Sequence, residues 1–394
     1  ADWVDNRWGS SLSVSFPDGF RAAGVASGLK ASGKRDLALV VNDGPKHAAA
    51  AVFTSNRCKA NPILWSQEVI KSGLARAIIL NSGGANCYTG PQGFQTTHAT
   101  AEKVGELLGV GAAEVLVCST GLIGEQLDRD KLLAGVVKAF ERLDSDGDDL
   151  AAEAIMTTDT VPKLATRQGS GYRIGGMAKG AGMLAPALAT MLVVITTDAD
   201  LEPQELDAAL REATRLSFDR LDSDGAMSTN DQVTLMASGA AGVKPEPAEF
   251  QELLTELCRE LALKLLDDAE GASHNIHIKV LGAASEADAL EVGRAIARNN
   301  LFKTAIFGND PNWGRILAAI GTTSAAFDPY DIDVSMNSVL ISSKGMPAAD
   351  RSKVDLSGRE VVIEIDLHAG DQAATVVTND LTHAYVEENS AYSS

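Results

Sequence analysis

Between Lys179 and Asp198 run 18 residues without a charge: Gly180-Ala-Gly-Met-Leu-Ala-Pro-Ala-Leu-Ala-Thr190-Met-Leu-Val-Val-Ile-Thr-Thr197. Such a stretch has to be buried, either in lipid or in protein, because so much apolar surface is costly in water. Its length reaches the lower limit for a membrane-spanning helix. Pro186, two glycines and three threonines oppose that helix, and no aromatic belt flanks it. The pattern instead predicts a loop of small residues running into a strand, Met191–Thr196, at the centre of a sheet. Taken alone, the segment is a core strand with a glycine-rich entry.

The rest of the chain fits a folded protein of roughly 100–200 residues per core-forming unit, hence two or three units in 394 residues. Only 5% of residues are aromatic, so the cores must be built from aliphatic side chains and Ala. The 34 Lys+Arg against 53 Asp+Glu leave a formal net charge of -19. Phosphate backbones and anionic lipid surfaces attract basic footprints, so neither nucleic acid nor a membrane is an expected partner. Cys58, Cys87, Cys118 and Cys258 are widely spaced, which predicts reduced thiols in a cytosolic protein. Charges run throughout Ala1–Gly19, so no signal peptide is expected there.

Strand-like runs alternate with helix-period segments. Leu37–Val41, Ala48–Phe53, Ala77–Leu80, Val115–Cys118, Met191–Thr196, Ile276–Val280 and Val361–Leu367 read as strands. Helices are predicted around Leu132–Leu143, Leu253–Leu265 and from Pro203 to Thr214. This alternation predicts an α/β protein. The later strands gather near the C-terminus with no helix expected between them, which points to mixed sheets. Turns are expected at Asp144–Asp149, Gly169–Gly171, Gly239–Pro247 and Ala326–Tyr330.

Several motifs fail on inspection. Gly28-Leu-Lys-Ala-Ser-Gly33-Lys34 has the spacing of a phosphate-binding P-loop, but Arg35 stands where Ser or Thr should meet magnesium. Asp144-Ser-Asp146-Gly-Asp148 imitates a calcium loop, yet its sixth position is Asp149 and its twelfth Ile155, so a solvated turn is expected. His274 and His277 lack a nearby third ligand and read as polar residues at a strand start. Neither a G-x-S-x-G elbow nor H-E-x-x-H is present.

Met177-Ala-Lys-Gly-Ala-Gly-Met-Leu-Ala-Pro-Ala-Leu-Ala-Thr190-Met-Leu resembles the self-cleavage segment of the ornithine acetyltransferases, a family of arginine-pathway enzymes. The likeness continues in order along the chain. It takes in Ser27–Lys34, Cys118-Ser-Thr120-Gly121-Leu-Ile-Gly124, Met156–Lys163, Asn309-Asp-Pro-Asn-Trp313-Gly-Arg315 and Glu388-Asn389-Ser-Ala-Tyr-Ser-Ser394. The loop Asn81–Gly90 departs from the family pattern at Gly84, where Asn is expected, and before Cys87, where Ala is expected and Asn86 stands.

The resemblance implies a layered α/β sandwich with mixed sheets, working in the manner of an N-terminal-nucleophile enzyme. It implies cleavage between Ala189 and Thr190 into fragments 1–189 and 190–394, with Thr190 as the nucleophile. A freed α-amine would supply the adjacent base that a weakly nucleophilic hydroxyl needs. Thr120 and Gly121 would form the oxyanion hole, on the reasoning that a strand-end turn presents backbone N–H groups outward. Substrate contacts carry over to Thr157, Lys179, Thr190, Glu270, Asn389 and Ser394. In this assignment Lys179 meets a carboxylate and Glu270 an ammonium. Without the family, Glu270 would read as helix-end surface charge. The implied reaction moves acetyl from N2-acetylornithine to glutamate in the cytoplasm, without metal or organic cofactor. Acetyl-CoA is a further donor to test, and a heterotetramer of two alpha and two beta fragments is expected. A self-processing amidase or aminopeptidase on the same scaffold is the alternative, and a non-catalytic binding protein is the reading from a different class.

Overall fold

The computed structural model describes residues 12–185 and 191–391. In chain order, the first part holds β1 (Phe20–Val25), β2 (Leu37–Asn42), β3 (Ala48–Phe53), α1 (Asn61–Ile70), β4 (Ala77–Asn81), α2 (Gly90–Leu108) and β5 (Val115–Ser119). Then come α3 (Arg129–Glu141), α4 (Asp148–Ala154), β6 (Lys163–Gln168), β7 (Arg173–Lys179), β8 (Leu192–Thr197), α5 (Pro203–Arg215), β9 (Gln232–Ala237) and α6 (Pro247–Asp267). The C-terminal part holds β10 (Asn275–Ala283), α7 (Glu286–Ala297), α8 (Asn300–Phe307), α9 (Trp313–Ile320), β11 (Asp333–Met336), β12 (Val339–Ser343), β13 (Met346–Pro347), β14 (Glu360–Asp366), β15 (Gln372–Asn379) and α10 (His383–Ala391).

Three sheets organise these elements, in the orders β1-β2-β4-β5, β3-β9-β8-β7-β6 and β13-β12-β11-β14-β10-β15. Each combines one parallel pair with antiparallel neighbours: β4 with β5, β8 with β9, and β10 with β14 are the parallel ones. The sheets are mixed, as the sequence predicts. The first two pack face to face, with Ala38, Val40, Ile78 and Leu116 meeting Met177, Leu192, Val194 and Met236 in one core. Helices α2 and α3 cover the outer face of the first sheet through Ala101, Val104, Leu132 and Val136. Helices α5 and α6 cover that of the second through Leu206, Leu210, Leu257 and Leu261. The result is a helix–sheet–sheet–helix sandwich. The third sheet carries its own core against α7, α8 and α9.

The uncharged segment ends as expected in a strand buried at every position, in the middle of the second sheet. Two other expectations need correction. Three helices, α7 to α9, separate β10 from the strands after it, so the later strands are not a helix-free cluster. The turn at Asp144–Asp149 is not wholly solvated either. Asp148 is buried, and its carboxylate accepts the Ser13 and Ser15 N–H groups at 2.6 and 3.1 Å, tying the start of the described chain to α4.

The P-loop-like stretch lies between two strands, with no helix after it. Its N–H groups at Ser27 and Lys30 turn inward onto the Asp36 carboxylate, at 2.7 and 3.0 Å. His274 is buried between Asp380 and the Leu356 carbonyl, both at 2.8 Å, a structural position at the head of β10. All four cysteines are free thiols, with only Cys58 exposed. Among the described residues no helix is long and apolar enough to cross a membrane.

Candidate active site

Lys179 ends β7 and is only 1% exposed. Its ammonium donates to the Thr157 hydroxyl at 2.8 Å and the Thr120 hydroxyl at 3.2 Å. Thus the structure joins three of the residues named from sequence, one from each of three separate segments. Burial holds the Lys179 pKa below the ordinary lysine value; Asp159 and Asp231 oppose that shift, while Lys163 and Lys30 reinforce it. The carboxylate that Lys179 is expected to meet is the substrate's, which its protein neighbours leave open. Among the described residues it bonds two hydroxyls, while the two carboxylates act on it as neighbouring charges.

Asp159 lies beneath this cluster. Burial alone would raise its pKa, but Lys179, Lys163 and the Gly180 N–H outweigh it and hold the carboxyl below the usual range. Its carboxylate accepts from Gly180 at 2.7 Å and from Lys163 at 2.5 Å, and Lys163 reaches on to Asp268 at 2.7 Å. The backbone leaving β7 is therefore fixed by charge-assisted bonds at the point where the uncharged segment begins.

The turn after β5 revises one expectation. The Thr120 N–H is not presented outward; it donates to the Asn81 carbonyl at 2.9 Å, while the Thr120 carbonyl accepts from Gly84 at 3.0 Å. What Thr120 offers is its hydroxyl, which accepts from Lys179 and so keeps its own proton free to donate. Among the described residues nothing accepts the Gly121 N–H. Gly121 has φ +135°, and a Cβ there would lie 2.5 Å from the Gly84 nitrogen, so no other residue fits. Gly84, where the sequence departs from the family pattern, thus forms the back of the turn. Asn230 braces the same turn, its amide donating to the Ala85 and Ser119 carbonyls at 2.7 and 2.8 Å.

Glu270 is not surface charge. It is 7% exposed, accepts the Thr158 hydroxyl at 2.8 Å and donates its N–H to the Ala181 carbonyl at 2.9 Å. Gly182 lies so close that a Cβ would come within 2.6 Å of the carboxylate. Beside Glu270 opens a polar cavity of about 200 Å³, whose walls include Asp224, Lys303, Asn379 and Tyr385. The Asp224 carboxylate accepts the Met183 N–H at 2.8 Å. The segment leading to the implied cleavage point is thereby held by the Glu270 N–H at Ala181 and by the Asp224 carboxylate at Met183.

Asn389 is exposed on α10, and its amide donates to the Tyr385 carbonyl at 2.9 Å. It reaches the cluster only through its helix, whose first turn abuts Gly271, the neighbour of Glu270. Ala189, Thr190 and Ser394 lie outside the described residues. Sequence reasoning missed Asp159, Lys163, Asn230 and Asp231. The Asp159–Lys163 pair stood inside a quoted motif at i,i+4, which is the one signal that could have marked it.

The ArgJ family model matches residues 21–394. Arginine biosynthesis bifunctional protein ArgJ of Thermobifida fusca is 59% identical over 382 residues, covering 97% of this chain and 100% of that protein. Its counterpart in Streptomyces coelicolor is 60% identical over 383 residues with the same coverage. Among solved structures, ornithine acetyltransferase of Mycobacterium tuberculosis complexed with ornithine shares 55% identity. That match covers 46% of this chain and 97% of that one, with a TM-score of 0.44. The family match along nearly the whole length, together with relatives this close, establishes that the chain belongs to the ArgJ family.

Proposed function

We propose that the chain is a glutamate N-acetyltransferase of arginine biosynthesis that cleaves itself between Ala189 and Thr190. The Thr190 hydroxyl attacks the acetyl carbonyl of N2-acetylornithine, the amide C–N bond breaks, and ornithine leaves with the proton. Glutamate's amine then attacks the acetyl-Thr190 ester, giving N-acetylglutamate and restoring the hydroxyl. The observation that carries this reading is the placement of Lys179. It bonds Thr120 and Thr157, and across β7 and β8 it pairs with Leu192, which follows Thr190 by two residues in the chain.

In this reading the Thr120 hydroxyl and the Gly121 N–H stabilise the developing oxyanion. Lys179 adds positive charge and orients the hydroxyl. Glu270 and the cavity beside it take the substrate's amino-acid part, completed by Asn389 and Ser394. Two of each fragment form the working assembly, in the cytoplasm.

Incubation with acetylornithine alone should add one acetyl group to the peptide beginning at Thr190, and added glutamate should remove it as N-acetylglutamate. With both substrates varied, double-reciprocal plots should be parallel, since one acyl-enzyme serves both halves. Intersecting lines would mean direct transfer, and release of free acetate would mark an amidase. The relatives are named bifunctional, so acetyl-CoA should be tested as a second donor.

A further inference from the structure

We infer that Asp231 is a positioning residue for the new N-terminus, one carboxyl oxygen holding the Met191 N–H and the other receiving the α-amine of Thr190. This rests on the proposed cleavage before Thr190. Asp231 precedes β9, and the parallel register Leu192↔Gln232 sets it beside Met191. Its Oδ1 accepts the Met191 N–H at 3.0 Å, while the Met191 carbonyl accepts from Gln232 at 3.2 Å. The first residue after Thr190 is therefore gripped at both backbone groups. Asp231 is fully buried; the Ser228 hydroxyl acts on its carboxyl, but among the described residues no donor lies within hydrogen-bonding distance of Oδ2. Such an orphan is costly unless something meets it.

Covalent geometry limits what that can be. Consecutive backbone nitrogens lie at most about 3.7 Å apart, given N–Cα, Cα–C and C–N bonds of about 1.46, 1.52 and 1.33 Å. Met191 N, held at 3.0 Å by Oδ1, belongs to the residue bonded to Thr190, so cleavage would free an amine one residue from an atom this carboxyl already holds. Before cleavage that nitrogen is a neutral amide, and burial raises the carboxyl's pKa well above the usual range against the opposing Met191 N–H, Ser228 hydroxyl and Lys179. After cleavage it is an amine of ordinary pKa about 7.7–8.0. Acid and amine then share one proton as a coupled pair. The other charges here are Lys179 on β7, backed by Asp159, Lys163 and Lys30, with Glu270 and Asp224 along the entering segment.

The test is the acidic limb of kcat/KM against pH. Asp231→Asn keeps an acceptor for Met191 and removes the shared proton, so the cleaved variant should show the limb shifted to lower pH by about one unit. An unmoved limb in fully cleaved Asp231→Asn overturns the assignment. Asp231→Ala should also slow self-cleavage, and Asn should restore it; equal slowing in both would assign the effect to packing alone. Should Asp231→Asn fail to fold, the amine of the wild-type enzyme can be titrated directly through an isotope-labelled N-methyl group on Thr190. A pKa above about 8 supports the pairing, and one at or below about 7.7 overturns it. Absence of acetyl-Thr190 in the wild type would instead defeat the proposed reaction, whatever the limb does.

Discussion

The turn Thr120–Gly121 divides its work between a side chain and a main chain, and that division can be measured. Because the Thr120 N–H is committed to Asn81, its hydroxyl is what it can contribute to an oxyanion. Thr120→Ala should lower kcat by about 10²–10³ with little change in KM, the usual cost of one lost oxyanion donor. Thr120→Ser should keep most of the rate; equal loss in both variants would assign the role to the methyl group's packing. A change confined to KM would make Thr120 a ground-state contact instead. Gly121→Ala faces a different barrier, a Cβ against the Gly84 backbone in a left-handed conformation. It should lose stability as well as rate, seen as a lower denaturation midpoint.

At the scale of elements, β7 gains its position from charges at its foot. Lys163 is buried between Asp159 and Asp268, so Lys163→Met would strand two carboxylates and should cost about 3–5 kcal/mol in denaturant unfolding. The Asp159 pKa is depressed in the fold, so its contribution is complete above the unfolded value of about 3.9 and disappears as pH falls through the lower folded value. The stability gap between wild type and Asp159→Asn should therefore be flat near neutrality and close only in acid. A gap that closed near pH 7 would contradict the ion pairing. How much of this was legible follows from residue chemistry. Strands made of unbroken apolar runs, such as Leu37–Asn42 and Leu192–Thr197, stand out in the sequence. Arg173–Lys179 and Lys163–Gln168 do not, because two glycines interrupt the first and each carries a buried lysine at one end. Helix α2 escaped because its buried face is Gly, Thr and Ala rather than Leu. Thr120, Thr157 and Lys179 were nameable only through the family's motifs. Asp231 was not, since its place beside Met191 depends on the parallel register of β8 with β9, which no sequence pattern sets.

At the scale of the whole molecule, the proposed cut does not separate two folding units. Strands β3, β6 and β7 precede position 190 and β8 and β9 follow it, yet all five belong to one sheet in the order β3-β9-β8-β7-β6. The segment before 190 supplies both outer positions, and the segment after it supplies two adjacent inner strands. Backbone hydrogen bonds cross the divide along Ile174–Lys179 with Leu192–Thr197 and along Ala48–Phe53 with Gln232–Ala237. The core between the first two sheets likewise draws Met177 from one side and Leu192, Val194 and Met236 from the other. Breaking one peptide bond removes none of these contacts. Fragments 1–189 and 190–394 should therefore copurify and run as one species in native mass measurement. They should part only in denaturant, in one cooperative transition. Thr190→Ala should stay a single chain, inactive, with a similar unfolding midpoint. If that variant were cut at the same bond, a foreign protease would be responsible. If the wild-type fragments separated under native conditions, the shared sheet would not be what holds them together.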